Sequence, residues 1–322
     1  MRDNLFGMSS AACAIVAAAL VTVGAGAVGA GSATAAPPCP VVVTAPQPIT
    51  APGAGWAENL LADADADADA DGGLWVSRTF SNTVEHYDSH GSRTASIRVD
   101  APGAIRRGPD GLLYVATGDS TVNMLPGTAL TGTIVTVDPT VRQPVPRVFA
   151  TGLGMPNGLA VADDGAVYVA DGRLGLVRIT PGGRIDTAWS AAAPKNLAPT
   201  STVDGTGVNG VALVGENLYV TLTLSATGRV LRVPLDDPAR TSVAADLTAP
   251  LPGILDDLVA LDEHTLAVAS TTGQLHIVDL TTRQVCTSSV GTPLTSVATV
   301  PGSPRILLAG SETGQILRLY LR

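Results

Sequence analysis

One short pattern recurs through this chain: an apolar run, a turn rich in Gly and Asp, and a second apolar run. Its most regular copy is Met155 to Arg173, MPNGLAVADDGAVYVADGR, where Leu159 and Val161 precede an Asp-Asp-Gly turn and Val167 and Val169 follow it. Period-two alternation on both sides of a Gly-containing turn is a hairpin signature. Further copies read PGAIRRGPDGLLYVA from Pro102, VNGVALVGENLYVT from Val208, LDDLVALDEHTLAVA from Leu255 and LTSVATVPGSPRILLA from Leu294; a sixth, from Glu58, has a swollen turn and ends in GLWVS. A third strand follows each hairpin, at 82–88, 133–138, 175–180, 228–236, 274–280 and 315–321. The residues aligned with Asn157 are Glu58 (or Asn59), Gly103, Asn209, Asp256 and Thr295, spaced 45, 54, 52, 47 and 39 residues apart along the chain. Periods of that size built from strands alone indicate propeller blades. The expectation is an all-β, six-bladed β-propeller without helices.

A propeller must close, because an unpaired edge strand invites foreign pairing. The last copy supplies three strands before the chain ends, and the segment Cys39 to Thr44 (CPVVVT) reads as a strand. The N-terminal strand is therefore expected to complete blade six.

Residues 1–36 read as a signal peptide, leaving 37–322 as the propeller. Arg2 precedes an apolar Ala/Val-rich run, and Ala33-Thr34-Ala35 is a small-residue cleavage motif. The alternative is a retained anchor; the glycines late in the run and the absence of a basic stop argue against it. Export is expected, with no membrane span in the mature chain. In an oxidising compartment, Cys39 and Cys286 either form a disulfide, the favoured reading, or sit apart as small core residues. The net charge of −9 speaks against a nucleic-acid partner. Nothing in the sequence suggests assembly beyond a monomer. The tract Asp63 to Asp71, alternating Asp and Ala, resembles a calcium loop, but its twelfth position counted from Asp67 is Arg78 where a Glu is needed. It is read as a lengthened turn.

Pseudo-symmetry puts Glu58, Asn157, Asn209 and Asp256, with Asp257 beside it, in one ring at the top of the central channel. Converging carboxylate and amide oxygens suit a hard cation, calcium above all. No thiolate or imidazole joins them, which disfavours zinc and copper. The alternative is that these side chains only cap turns. Arg106 and Arg107 are adjacent on an inner strand, so one should face the channel, to bind an anionic substrate or to pair with the acids. Two long excursions, 117–132 and 191–208, should rise over the channel mouth.

The blade pattern PNGLAVADDGAVYVAD resembles the senescence-marker-protein/gluconolactonase family of six-bladed calcium propellers over about 55–322. The resemblance implies metal ligands at Glu58 and Asn157, while Asn209 stands where that family has an Asp. The ring is also similar to that of paraoxonases, which implies Glu58, Asn157, Asn209 and the Asp256-Asp257 pair as ligands; the paraoxonase histidine pair has no counterpart. Two functions follow. One is a secreted, calcium-dependent hydrolase of a small lactone or ester, with Asp256 or Asp257 as general base for water. The other is a non-catalytic propeller that binds a ligand or protein and uses calcium structurally.

Overall fold

Each middle strand of the protein is buried along almost its whole length. Leu74–Arg78, Leu113–Thr117 and Val167–Asp171 show no exposed residue, whereas the outer strand Arg93–Arg98 is mostly exposed. A strand buried on both faces must be covered on both faces. Six small antiparallel sheets packed face to face provide that cover. The computed structural model describes residues 43, 45–63, 73–195, 207–223, 225, 227–248 and 254–322, all within the compact unit Cys39–Arg322. Residues 1–36, where a signal peptide is expected, Cys39 and the Asp-Ala tract beyond Asp63 lie outside the described residues.

The architecture is a six-bladed β-propeller, nearly all β. The inner strands are Asn59–Ala62, Pro102–Arg107, Pro156–Val161, Val208–Val214, Leu255–Ala260 and Leu294–Val300, each followed outward by its antiparallel partners. The expected third strands occur at Thr83–Tyr87, Gly132–Val137, Gly175–Ile179, Arg229–Pro234, Gln274–Asp279 and Ile316–Tyr320.

Closure is by the N-terminal segment, as expected; of the stretch Cys39 to Thr44 only Val43 is among the described residues, and the pairing continues beyond it. Gln47–Pro48 pairs antiparallel with Ile316–Tyr320, and an isolated bridge joins Val43 to Leu321. Pro48 fits there because an outermost strand can spare a donor on its open side, and the missing N–H discourages a further partner. The expectation of no helix needs correcting. Blade three has three strands, and the short helix Thr187–Ala192 follows where other blades place a fourth. Asp186 caps it, its carboxylate accepting the Trp189 N–H at 3.1 Å. Trp189 then packs edge-on against Tyr168 and donates Nε1–H to the Leu235 carbonyl at 2.8 Å, tying blade three to blade four.

Two local features create the channel. In five blades the inner strand carries a register shift near its start, at Pro102/Ile105, Pro156/Leu159, Val208/Val211, Leu255/Leu258 and Leu294/Ser296. A bulge there re-aims consecutive side chains. Beside the bulge a glycine lets blades approach closely. A Cβ on Gly158 would lie 2.0 Å from the Asn209 carbonyl oxygen, and one on Gly210 would lie 2.7 Å from the Asp257 Cα. The Asn-Gly step of the best repeat is thus not a turn; it brings one ring residue against the next.

Candidate functional site

Hydroxyls of the middle strands clasp the ring from behind. Ser77 donates Oγ–H to the Gly103 carbonyl at 2.5 Å, and Thr221 donates to the Asp256 carbonyl while accepting the Gly210 N–H at 2.8 Å. Asp171, fully buried, accepts from the Gly154 and Met155 N–H groups and so fixes the chain just ahead of Asn157. The ring side chains therefore rest on a backbone with little freedom.

Glu58, Asn157, Asn209 and Asp256 all face one cavity of about 860 Å³ at the top of the channel. Asn157 donates Nδ2–H to Glu58 Oε1 at 3.0 Å and to Asp119 Oδ2 at 3.3 Å. Asp119 was not among the sequence candidates. It follows Gly118 in the excursion after the middle strand of blade two and fills the sector where the ring position itself is Gly103. The signal available in the sequence was a lone Asp at the first turn of an excursion expected over the channel. Glu312, from the loop after the middle strand of blade six, also lines the cavity.

Asp257 faces elsewhere. The bulge turns it below the ring, where Asn59 donates to it at 3.0 Å, Arg106 at 3.3 Å and the Val297 N–H at 3.4 Å. The blade-one ambiguity resolves the same way: Glu58 points to the cavity, and Asn59 joins Asp257 and Arg106 beneath it. Arg106 reaches the channel as expected of one of the two arginines, donating to Asn59 Oδ1 at 2.6 Å. Arg107 turns outward and pairs with Asp63 at 3.3 Å beside His86. Neither arginine lines the cavity. Thr295 is fully buried, its hydroxyl donating to the Ala57 carbonyl at 2.5 Å.

The cavity floor is electrostatically unbalanced. No Lys, Arg or His lines it among the described residues. Burial, with the Asp257 charge adding to it and the Asn157 hydrogen bond opposing it, pushes Glu58 up to about 7. Burial and the neighbouring Glu58 charge raise Asp119 and Asp256 well above the ordinary carboxylate range. Asn209 Oδ1 is buried with no hydrogen-bond partner. Buried polar atoms are seldom left so. Among the described residues no three His, Cys, Asp or Glu side chains group closely enough to hold a metal by themselves. A cation here would need the amide oxygens of Asn157 and Asn209 as well, a mixed oxygen set of the kind calcium accepts.

Cys286 is disulfide-bonded. The pairing expected with Cys39 falls outside the described residues. No described helix is long and apolar enough to cross a membrane.

No protein-family model matches the chain, and no curated protein matches it in sequence. Solved structures do. An aldose sugar dehydrogenase from Streptomyces coelicolor, in its PQQ-bound form, superposes with a TM-score of 0.63 at 18% identity, over 89% of this chain and 100% of that one. The calcium-binding protein regucalcin from Agrobacterium tumefaciens gives 0.61 at 17%, over 85% and 93%. A gluconolactonase from Xanthomonas campestris gives 0.58 at 16%, over 89% and 99%. The chain has their fold. At these identities the likeness speaks for architecture, and the expected resemblance to gluconolactonase and regucalcin propellers holds at that level.

Proposed function

We propose that this chain is an exported, monomeric hydrolase of a lactone or ester, diverged from gluconolactonase-type propellers, with a divalent cation, calcium first, at the top of its channel. The observation that carries the reading is the floor of the cavity: Glu58 and Asp256 buried and Asp119 half-buried with them, no basic side chain among the described residues that line it, and the unpartnered oxygen of Asn209 beside them. Like charges so placed want a cation between them. Glu58, Asn157, Asn209 and Asp256 would hold it, with Asp119 completing the set. When bound, such a cation polarises a carbonyl and stabilises the oxyanion that forms as water adds. The rest falls to the protein's own groups. The cavity orients the substrate carbonyl toward the floor. Of the two aspartates considered as base, Asp256 faces the cavity and is placed to take a proton from water; Asp257 is committed to Asn59, Arg106 and the Val297 amide. Arg106 is then a support of the ring rather than a substrate-binding group.

The Cys286 disulfide supports an oxidising destination, in keeping with a cleaved signal at 1–36. A second reading, a non-catalytic ligand-binding propeller, is favoured by one observation: no histidine reaches the cavity. A panel of lactones and aryl esters, run with calcium and with chelator, separates the two. Turnover that chelator abolishes supports the hydrolase. A calcium-bound protein that turns over nothing leaves the binding propeller.

A further inference from the structure

Among the described residues large apolar side chains are exposed at a few places, and three of them meet in this cavity. Phe80 is 69% exposed, Val122 60% and Ile254 44%. All three line the cavity, and each comes from a different blade: one from the short 3-10 turn Thr79–Ser81 of blade one, one from the turn Thr121–Met124 of blade two, one from just before the inner strand of blade five. Trp56 stands behind Phe80 in an edge-to-face pair, centroids 5.1 Å apart, and Met124 and Met155 continue the wall. Singly, an exposed apolar residue needs no explanation. Convergence from separate blades above one polar floor does. Water-exposed Phe, Val and Ile facing a common space gain only when an apolar group displaces that water.

The charges narrow the ligand further. The carboxylates of Glu58, Asp100, Asp119, Asp256 and Glu312 line the cavity, with no basic side chain among the described residues there to receive an anion. Arg106 and Arg107, the two candidates for that role, are engaged below and outside it.

Resting on the hydrolase reading above, we infer that the substrate is an uncharged lactone or ester bearing a bulky apolar group, aromatic or aliphatic. Its carbonyl goes to the carboxylate and amide floor and its apolar part to the Phe80–Val122–Ile254 wall. A polyhydroxylated sugar lactone would leave its hydroxyls against that wall, and a phosphorylated or carboxylated one would face five carboxylates.

The test uses the full mature chain with calcium. Turnover is measured on γ-lactones from butyro- to decanolactone, on gluconolactone and on a carboxylated γ-lactone. Binding is measured separately, by tryptophan emission, with inert cycloalkanones carrying the same alkyl ladder; Trp56→Phe should remove the response. The expected result is a rise in kcat/KM and in affinity of up to about fourfold per added methylene, with gluconolactone and the anionic lactone the poorest substrates. Phe80→Ala and Ile254→Ala should flatten the ladder. Val145→Ala, at an exposed apolar residue away from the cavity, should not. A chain-length ladder in binding without any turnover supports the ligand class and sinks the hydrolase reading. Turnover with a flat ladder, or with gluconolactone or the anionic lactone preferred, overturns the ligand class and leaves the hydrolase. Absence of both binding and turnover overturns both.

Discussion

Arg78 offers the sharpest perturbation of the frame that holds the site. Its guanidinium is wholly buried. It donates to the Gly55 carbonyl at 2.9 Å, to the Gly314 carbonyl at 2.8 Å and to the Tyr87 hydroxyl at 3.1 Å, and its Nε lies 3.5 Å from Glu85 Oε2. One side chain thus ties blade one to the approach that carries Glu58 and to the blade-six loop that carries Glu312. Arg78→Met keeps much of the apolar stem and removes the charge and all of these bonds. Removing one partner of a buried pair costs about 3–5 kcal/mol. The lower half of that range applies, because Glu85 keeps Arg93 at 2.7 Å and the Tyr87 hydroxyl at 2.6 Å. At about 2 °C per kcal/mol for a chain of this size, the melting temperature should fall by about 6–8 °C. The pH dependence adds a second check. Burial pushes the Glu85 carboxyl up, but bonds from Tyr87 and Arg93 and the Arg93 and Arg78 charges outweigh it, and its net position is below the ordinary 4.5. A carboxyl lowered in the fold contributes stability above its unfolded value, lost as pH falls through the folded one. The gap between wild type and variant should therefore be widest near neutrality and narrow as pH falls below 4.5, the part due to the carbonyl and hydroxyl bonds remaining. Thermal melts by circular dichroism from pH 3 to 8 decide. A variant melting within 2 °C of wild type at pH 7, or a gap that does not change with pH, would refute this account of the clasp.

Two further outcomes are expected. Gly158→Ala should push blades three and four apart at the ring and cost about 1–3 kcal/mol, because its Cβ would lie 2.0 Å from the Asn209 carbonyl, whereas Gly182→Ala, whose Cβ meets nothing closer than 3.9 Å, should be neutral by urea denaturation. Burial pushes His276 down from 6.5 to about 4; its Nδ1 lies 2.8 Å from the Thr287 hydroxyl and its Nε2 has no partner. A histidine held neutral in the fold loses stability as pH falls from 6.5 toward 4 while the unfolded chain takes up the proton, about 3 kcal/mol in all. His276→Gln should remove that acid-side slope in denaturant titrations at pH 4 and 7; an unchanged slope counts against it.

Strand alternation made the blades legible, because a hairpin buried on known faces leaves a period-two trace in any copy. The third strands lie within a residue or two of their expected spans for the same reason. The ring was partly legible: Glu58, Asn157, Asn209 and Asp256 share a register, and register survives in sequence. What did not survive is which way a bulge turns a side chain. Asp256 and Asp257 are neighbours with opposite surroundings, and only the pairing shift between Leu255 and Leu258 separates them. Asp119 lay outside the repeat, on an excursion whose path follows from tertiary contacts. The blade-three helix was hidden because six residues, TAWSAA, carry too little periodicity to stand out; Asp186 ahead of them was its one local sign.

The central claim is that the cavity floor binds a divalent cation, and the most direct measurement is the thermal shift of metal-stripped protein on adding calcium. The expected result is a rise that grows with concentration, worth about 2.7 kcal/mol at a hundredfold excess over the dissociation constant. Chelator should reverse it, and Asp256→Asn should largely remove it. Thr295→Ala loses a buried bond to the Ala57 carbonyl and should melt lower while keeping the shift. Stripped wild type that melts at the same temperature with and without calcium, or an undiminished shift in Asp256→Asn, contradicts the claim.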